Sequence, residues 1–381
     1  MPTPLKILSI GHSYVVAQNR RLVNEIARIG QGKWEVTTVA PTFMKGDLRP
    51  VALEDYDREL CHLQGIPVYL SQRIHIMTYD RAFKQILQKG WDLVHCWEEP
   101  YIFAGGQVAW WLPKKIPLVY ASFQNNSKQY PPPFSWIERY SMSRATGWIA
   151  FGHEVKEALK PRLSYQNLPM RLIPPGVDIN HFYPDSVAGQ NIRQSLDWET
   201  SNAPIIGYLG RFVSEKGLNL LMRVLDRLET PWRALFVGSG ILEDSLKSWA
   251  NRYPEQVRIC TNVKHDDVPQ YLNAMDILVA PSQTMPNWRE QFGRMLIEAM
   301  SCGVPVIGSD SGEIPYVIAD AGKVVGEKDE EGWVKALSEL LESPEKRQEM
   351  AEKGLARSRT HYAWSVVAQQ HLDFFTELLE S

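Results

Sequence analysis

Short runs of β-branched and aromatic residues alternate with stretches of helical periodicity from one end of this chain to the other. No other feature restricts the fold as strongly. Neighbouring parallel strands need long crossovers, so strands that alternate with helices build parallel sheets covered by helices on both faces. In the first half the runs fall at 5–11, 34–40, 67–70, 92–97, 118–123, 147–151 and 171–174. A second series follows at 204–209, 234–237, 257–260, 277–280, 304–307 and 323–325, and beyond Lys328 the pattern is wholly helical to Glu380. At roughly 150 residues per domain, 381 residues imply two cores. The polar stretch between the two series reads as a linker, and the helical tail is longer than the second sheet needs. The expected division is 1–184 for a first Rossmann-like domain, 185–203 for the linker and 204–360 for a second domain, with a helix at 361–381 crossing back to the first.

Composition removes several classes of function. A formal charge of -3 without a Lys/Arg block argues against nucleic acid, whose phosphates need clustered cations. Cys61, Cys96, Cys260 and Cys302 form no CxxC pair, so neither a disulfide framework nor a zinc site is expected and a reducing cytoplasm fits. The opening stretch to Gly11 has one lysine and few apolar residues, unlike a signal peptide, and nothing approaches a membrane span. Association with a membrane surface stays open.

The most informative stretch is Glu290-Gln-Phe-Gly-Arg-Met-Leu-Ile-Glu298-Ala-Met-Ser-Cys-Gly-Val-Pro-Val-Ile-Gly308. Phe292 and Gly293 mark a helix start after a loop, where free N–H groups and the positive dipole end favour an anion. Glu290 and Glu298 lie within reach of opposite ends of one ligand, at most about 12 Å apart along a helix. Two solvated glutamates alone would mean little. A second element is Gly207-Tyr-Leu-Gly210-Arg211-Phe-Val-Ser-Glu215-Lys216-Gly217, which sets two cations just beyond a strand, where open α/β sheets bind ligands. Gly238-Ser239-Gly240 follows the next strand; a GxG turn alone is weak evidence.

Together these motifs resemble the donor signature of the family 4 retaining glycosyltransferases. In that family two glutamates separated by seven residues precede Ala-Met and Gly-x-Pro-Val, and a Gly-Arg-x-x-x-x-Lys-Gly loop lies upstream. The resemblance implies an α/β chain of GT-B architecture, with two facing Rossmann-like domains and a cleft. It implies retaining, metal-independent transfer of a hexosyl group from a nucleoside-diphosphate sugar to a hydroxyl of a carbohydrate or lipid-linked acceptor. UDP- and GDP-sugars fit better than ADP-sugars, and no cofactor is required. Arg211, Lys216 and Glu290 would take the catalytic roles, Arg211 and Lys216 on the diphosphate and Glu290 orienting the sugar. Donor contacts would come from Gly210, Gly238, Val263, Phe292, Gly293, Arg294, Met295 and Glu298, with Glu298 on the ribose. A GT-B-type epimerase and a catalytically weak nucleotide-sugar-binding protein are the rival readings. The first needs further acid/base carboxylates, and the second would fit loss of the cations or glutamates.

On the acceptor side, His95 in 92–97 and Gln124 after 118–123 occupy the places of the family's cleft residues. His95 reads equally as a core histidine. Gln124 stands where many members carry a histidine, and a carboxamide cannot exchange protons near neutral pH. The first βα loop, Gly11-His-Ser-Tyr-Val-Val-Ala-Gln-Asn19, replaces the usual glycine pair with larger side chains. Tyr130-Pro-Pro-Pro-Phe134-Ser-Trp136 and Trp110-Trp111-Leu-Pro-Lys114-Lys115 are unusual. They suit packing of a long loop, stacking on an acceptor sugar, or peripheral membrane contact through the N-terminal domain.

Overall fold

A computed structural model describes residues 3–45, 50–198 and 203–380. The chain forms two compact units, Met1–Pro174 with Trp364–Ser381 and Pro175–Ala363.

The first unit carries seven parallel strands: β1 Leu5–Ile10, β2 Trp34–Pro41, β3 His62–Ile66, β4 Leu93–Cys96, β5 Leu118–Ser122, β6 Gly147–Ala150 and β7 Met170–Leu172. Their order is β7-β6-β5-β4-β1-β2-β3, so the direction of winding reverses between β1 and β4. β1 and β4–β6 are nearly continuous apolar runs because helices cover both faces of the sheet. The run expected at 67–70 departs from this plan. The edge strand is β3, one step earlier, while Val68–Tyr69 pairs antiparallel with Thr78–Tyr79. An apolar run flanking Pro67 carries too little periodicity to distinguish the two.

The second unit holds β8 Ile205–Leu209, β9 Arg233–Val237, β10 Val257–Cys260, β11 Ile277–Ala280, β12 Val306–Ser309 and β13 Lys323–Val325. Their order is β10-β9-β8-β11-β12-β13, with the reversal between β8 and β11. Both sheets are thus doubly wound, and each has one topological switch point.

The unit boundary lies at Pro174/Pro175, ahead of the expected 184. The described part of the stretch 185–203 is more than a linker. Asp185 caps a helix, Ser186–Ser195, by accepting from the Ala188 N–H at 3.0 Å. That helix packs against the second unit, where Gly189 meets the Asn273 carbonyl and Arg193 donates to the Ala274 carbonyl at 3.0 Å. Its apolar content is low because hydrogen bonds and Ile192 hold it in place of a broad apolar stripe.

The last helix, Trp364–Glu380, rejoins the first unit. Val367, Leu372, Phe374 and Phe375 are buried with Ile7, Val23, Trp34 and Ile149. Phe375 is fully buried, so Phe375→Ala is expected to cost about 3–5 kcal/mol through lost transfer energy and a cavity. Urea unfolding of the first unit measures this, and an unchanged midpoint would show that the helix does not hold the unit together.

Candidate functional site

In an open α/β sheet ligands bind beyond the carboxyl ends of the strands at the switch point. In the second unit that point lies between the loops after β8 and β11. Gly217 joins them: its φ is 76°, and a Cβ there would lie 1.7 Å from the Pro281 carbonyl oxygen. The Gln283 N–H also donates to the Glu215 carbonyl at 2.8 Å.

This close approach brings the side chains together. Lys216 Nζ lies 2.5 Å from Glu290 Oε2, and the same oxygen accepts from Ser282 Oγ at 2.9 Å. The lysine side chain is 14% exposed and the glutamate 8%. Trp288 lies under the ammonium at 5.1 Å, a cation–π contact. The glutamate's own backbone is seated by Gly312 at φ 56°, where a Cβ would meet the Glu290 carbonyl oxygen at 2.0 Å, and by the Glu313 N–H at 3.1 Å. Burying an ion pair costs desolvation, which hydrogen bonds and good geometry must offset. Here the pair is confined where a charged ligand is expected.

The other residues expected on the donor side lie in the same unit, in different settings. Gly210 and Gly238 follow β8 and β9 at their carboxyl ends. Phe292 is buried edge-on to Tyr362, and Gly293, at φ 80°, begins the helix Arg294–Ser301. Glu298 is buried on that helix, Met295 packs against the core and Arg294 is exposed. Val263 is half-buried after Asn262, whose φ is 59°. Arg211 does not join Lys216: its guanidinium is exposed and lies 3.5 Å from Glu215. The two cations therefore differ in setting, one largely buried against Glu290 and one exposed beside Glu215.

In the first unit His95, expected on the acceptor side, lies in the core. His95 is fully buried; Trp97 Nε1 donates to its Nδ1 at 3.2 Å, and its ring packs against His371 and Phe375 of the last helix. Burial, then the neighbouring His371, push its pKa well down, which fits the reading of His95 as a core histidine. Gln124 is placed by two partners, donating to Tyr130 Oη at 3.0 Å and accepting from Arg162 at 3.5 Å.

The histidine at the carboxyl edge is His12. It follows β1, while Glu98 follows β4, so this pair spans the first switch point. Glu98 accepts from the His12 backbone N–H, from its Nδ1 and from Tyr79 Oη, each at 2.6 Å. The carboxylate is fully buried, whereas the imidazole side chain is 32% exposed. The unusual first loop carried the signal for His12; nothing local marks Glu98 as its partner across 86 residues. Beside them, burial raises the Glu99 carboxyl to about 7 against hydrogen bonds from Ser122 and Phe123. Among the described residues no group of three or more His, Cys, Asp or Glu could hold a metal ion.

Two doubly wound sheets, one with a lysine–glutamate pair and a helix start at its switch point, define the GT-B class of nucleotide-sugar-utilising folds. Comparison with known proteins gives the family. Residues 18–181 match the model "Glycosyltransferase Family 4" and residues 190–357 match "Glycosyl transferases group 1". The chain belongs to the family 4 glycosyltransferases. It is 28% identical over 215 residues to a GDP-mannose-dependent monoacylated alpha-(1-6)-phosphatidylinositol monomannoside mannosyltransferase of Corynebacterium glutamicum, covering 55% of each chain. With a D-inositol 3-phosphate glycosyltransferase of Corynebacterium urealyticum it shares 24% over 94% of this chain and 84% of the relative. The chain spans about half the length of several curated relatives it matches, at 55%, 58% and 44%. Among solved structures, sucrose-phosphate synthase from Thermosynechococcus elongatus superposes with a TM-score of 0.74 at 21% identity, covering 99% of both chains. Anabaena HepE with UDP-glucose gives 0.73 at 17%, covering 98% of this chain and all of the other.

The His12–Glu98 contact sets a pH signature. Burial works to lower the His12 pKa, but the Glu98 charge and hydrogen bond outweigh it and the net shift is upward from 6.5. Burial works to raise Glu98, and His12 with Tyr79 outweighs it, leaving the carboxyl below 4.5. The histidine's contribution to stability is fully present below its unfolded pKa and lost as pH rises through the raised folded value. That of Glu98 is present above its unfolded pKa and lost as pH falls through the depressed one. The melting-temperature gap between wild type and His12→Ala should therefore be widest between pH 4.5 and 6.5 and narrow above that window. A gap that persists unchanged well above pH 6.5 would show that the imidazole is not charged against Glu98.

Proposed function

We propose that this chain transfers a hexosyl group, with retained anomeric configuration, from a nucleoside-diphosphate sugar to a hydroxyl of a glycan or lipid-linked acceptor. The observation that carries this reading is the Lys216–Glu290–Ser282 cluster beyond β8 and β11, beside the helix that starts at Gly293. Lys216 and Arg211 neutralise the departing diphosphate, and the Phe292–Gly293 turn adds backbone N–H groups. Glu290 orients the sugar, while Glu298 binds the ribose. The acceptor oxygen bonds to the anomeric carbon as the bond to the diphosphate breaks on the same face. The electron pair leaves on the diphosphate, and a donor phosphate oxygen takes the hydroxyl proton. No protein nucleophile and no divalent metal enter this scheme, because cationic side chains carry the leaving-group charge.

The relative named for GDP-mannose and the neighbour solved with UDP-glucose support a GDP- or UDP-sugar as donor. Relatives named for phosphatidylinositol monomannoside and D-inositol 3-phosphate support a sugar-alcohol or lipid-linked acceptor. On the acceptor side Gln124, held by Tyr130 and Arg162, orients by hydrogen bonding, and the scheme asks no side-chain base of that position. The reaction is placed in the cytoplasm, with peripheral contact to the inner membrane face when the acceptor is lipid-linked.

Screening UDP-, GDP- and ADP-sugars for a rise in melting temperature identifies the donor. With that donor, Lys216→Ala is expected to lower turnover by about a hundredfold or more, the scale of removing one preorganised electrostatic group. A nearly unchanged turnover would remove Lys216 from the leaving-group role. Activity is expected to persist in excess EDTA; complete loss restored by Mg²⁺ would overturn the metal-free scheme.

A further inference from the structure

Two helices of the first unit, Phe103–Trp111 and Phe134–Arg144, carry an aromatic surface that the transferase scheme does not use. They approach closely at Gly106, where a Cβ would lie 2.7 Å from Ile137 Cγ2. Above this contact lies a groove of about 480 Å³, lined by Phe103, Trp110, Trp111, Trp136 and Tyr140. Trp110 is 76% exposed, Trp136 64% and Tyr140 44%. Two indoles and a phenol left in water on one face are more than a scattered apolar residue, and they mark an interaction surface.

The charges nearby indicate what covers it. Lys114 and Lys115 are exposed just beyond the first helix. Arg144 reaches across to the Leu112 carbonyl at 3.4 Å, which brings its guanidinium to the same end. Two nearby carboxylates have partners, Glu138 a cation and Asp80 neutral donors. Glu138 is buried against Arg162 at 2.6 Å, and Asp80 accepts from Tyr69 Oη at 2.6 Å and from the Ala82 N–H at 2.9 Å. Trp and Tyr side chains suit the headgroup level of a bilayer, and lysine and arginine reach past them to anionic lipid.

We propose that this groove is a peripheral membrane-binding surface for anionic phospholipid, with Trp110, Trp136 and Tyr140 entering the interface and Lys114, Lys115 and Arg144 contacting phosphate headgroups. It deepens the reading that the acceptor is lipid-linked and rests on that reading for its purpose, though not for its geometry. Among the described residues no helix is long and apolar enough to cross a membrane.

The test is co-sedimentation of the full chain with vesicles of phosphatidylcholine alone and of phosphatidylcholine with about one third phosphatidylglycerol. Binding is expected to the anionic vesicles, to fall with added salt, and to shift tryptophan emission to the blue. Trp110→Ser with Trp136→Ser should reduce partitioning at least about tenfold, and each of Lys114→Gln and Lys115→Gln about fivefold. The melting shift produced by UDP or GDP should be the same in all variants, which reports their folding and their donor site. Failure of every vesicle to bind, equal binding to both compositions, or binding indifferent to these substitutions would overturn the proposal. So would a wild-type dimer that Trp136→Ser makes monomeric without vesicle binding, since the groove would then receive a second copy. Loss of vesicle binding with the nucleotide shift intact leaves the transferase reading standing. Vesicle binding without any nucleotide shift removes that reading and keeps the surface.

Discussion

The parallel pairing of β8 with β11 is the constraint on which the Lys216–Glu290 cluster depends. Two strands separated by more than sixty residues are brought side by side only because the winding reverses between them, Ile206 opposite Ile277 and Gly207 opposite Leu278. Their following loops then emerge at the same edge, and Gly217 lets one rest on the Pro281 carbonyl. Lys216 and Glu290, 74 residues apart in the chain, meet as a consequence. Without the reversal the loop after β8 would be followed by a neighbouring strand's helix, leaving no crevice for a ligand.

The same physical arrangement is repeated in the first unit with different chemistry. There the reversal lies between β1 and β4, and the pair across it is His12 with Glu98. In each unit a buried carboxylate holds a partly buried base, with a hydroxyl from Ser282 or Tyr79 completing the acceptor's hydrogen bonds. A buried charge with unfilled acceptor sites is costly, so each pair also fixes the geometry of its loop. The Lys216–Glu290 contact leaves both side chains largely buried, at 14% and 8% exposure. The His12–Glu98 contact instead positions an imidazole whose second nitrogen remains for a partner.

Much of this was legible beforehand for a definite reason. Strand positions follow from short apolar runs, and the donor motif is contiguous, so residues 290–308 display a loop, a helix start and a following strand without reference to anything distant. Departures came where local pattern underdetermines long-range contact. His95 has the sequence context of a cleft residue, but the last helix lays His371 and Phe375 over it. The polar stretch after 184 looked like a linker because its helix is held by a cap and by bonds to Asn273 and Ala274 more than by apolar periodicity.

By itself the sequence determined the α/β class, the number of cores, the family and the residues beyond β8 and before the Arg294 helix, because each is written in local periodicity or in contiguous spacing. Tertiary structure alone decided which of those residues meet. It paired Lys216 with Glu290 and left Arg211 with Glu215, withdrew His95 into the core, and set His12 against Glu98. It also assembled Trp110 and Trp136, from separate helices, on one face. These are contacts between segments far apart in the chain, fixed by strand order and close packing, and a pattern read over a dozen residues carries no information about them.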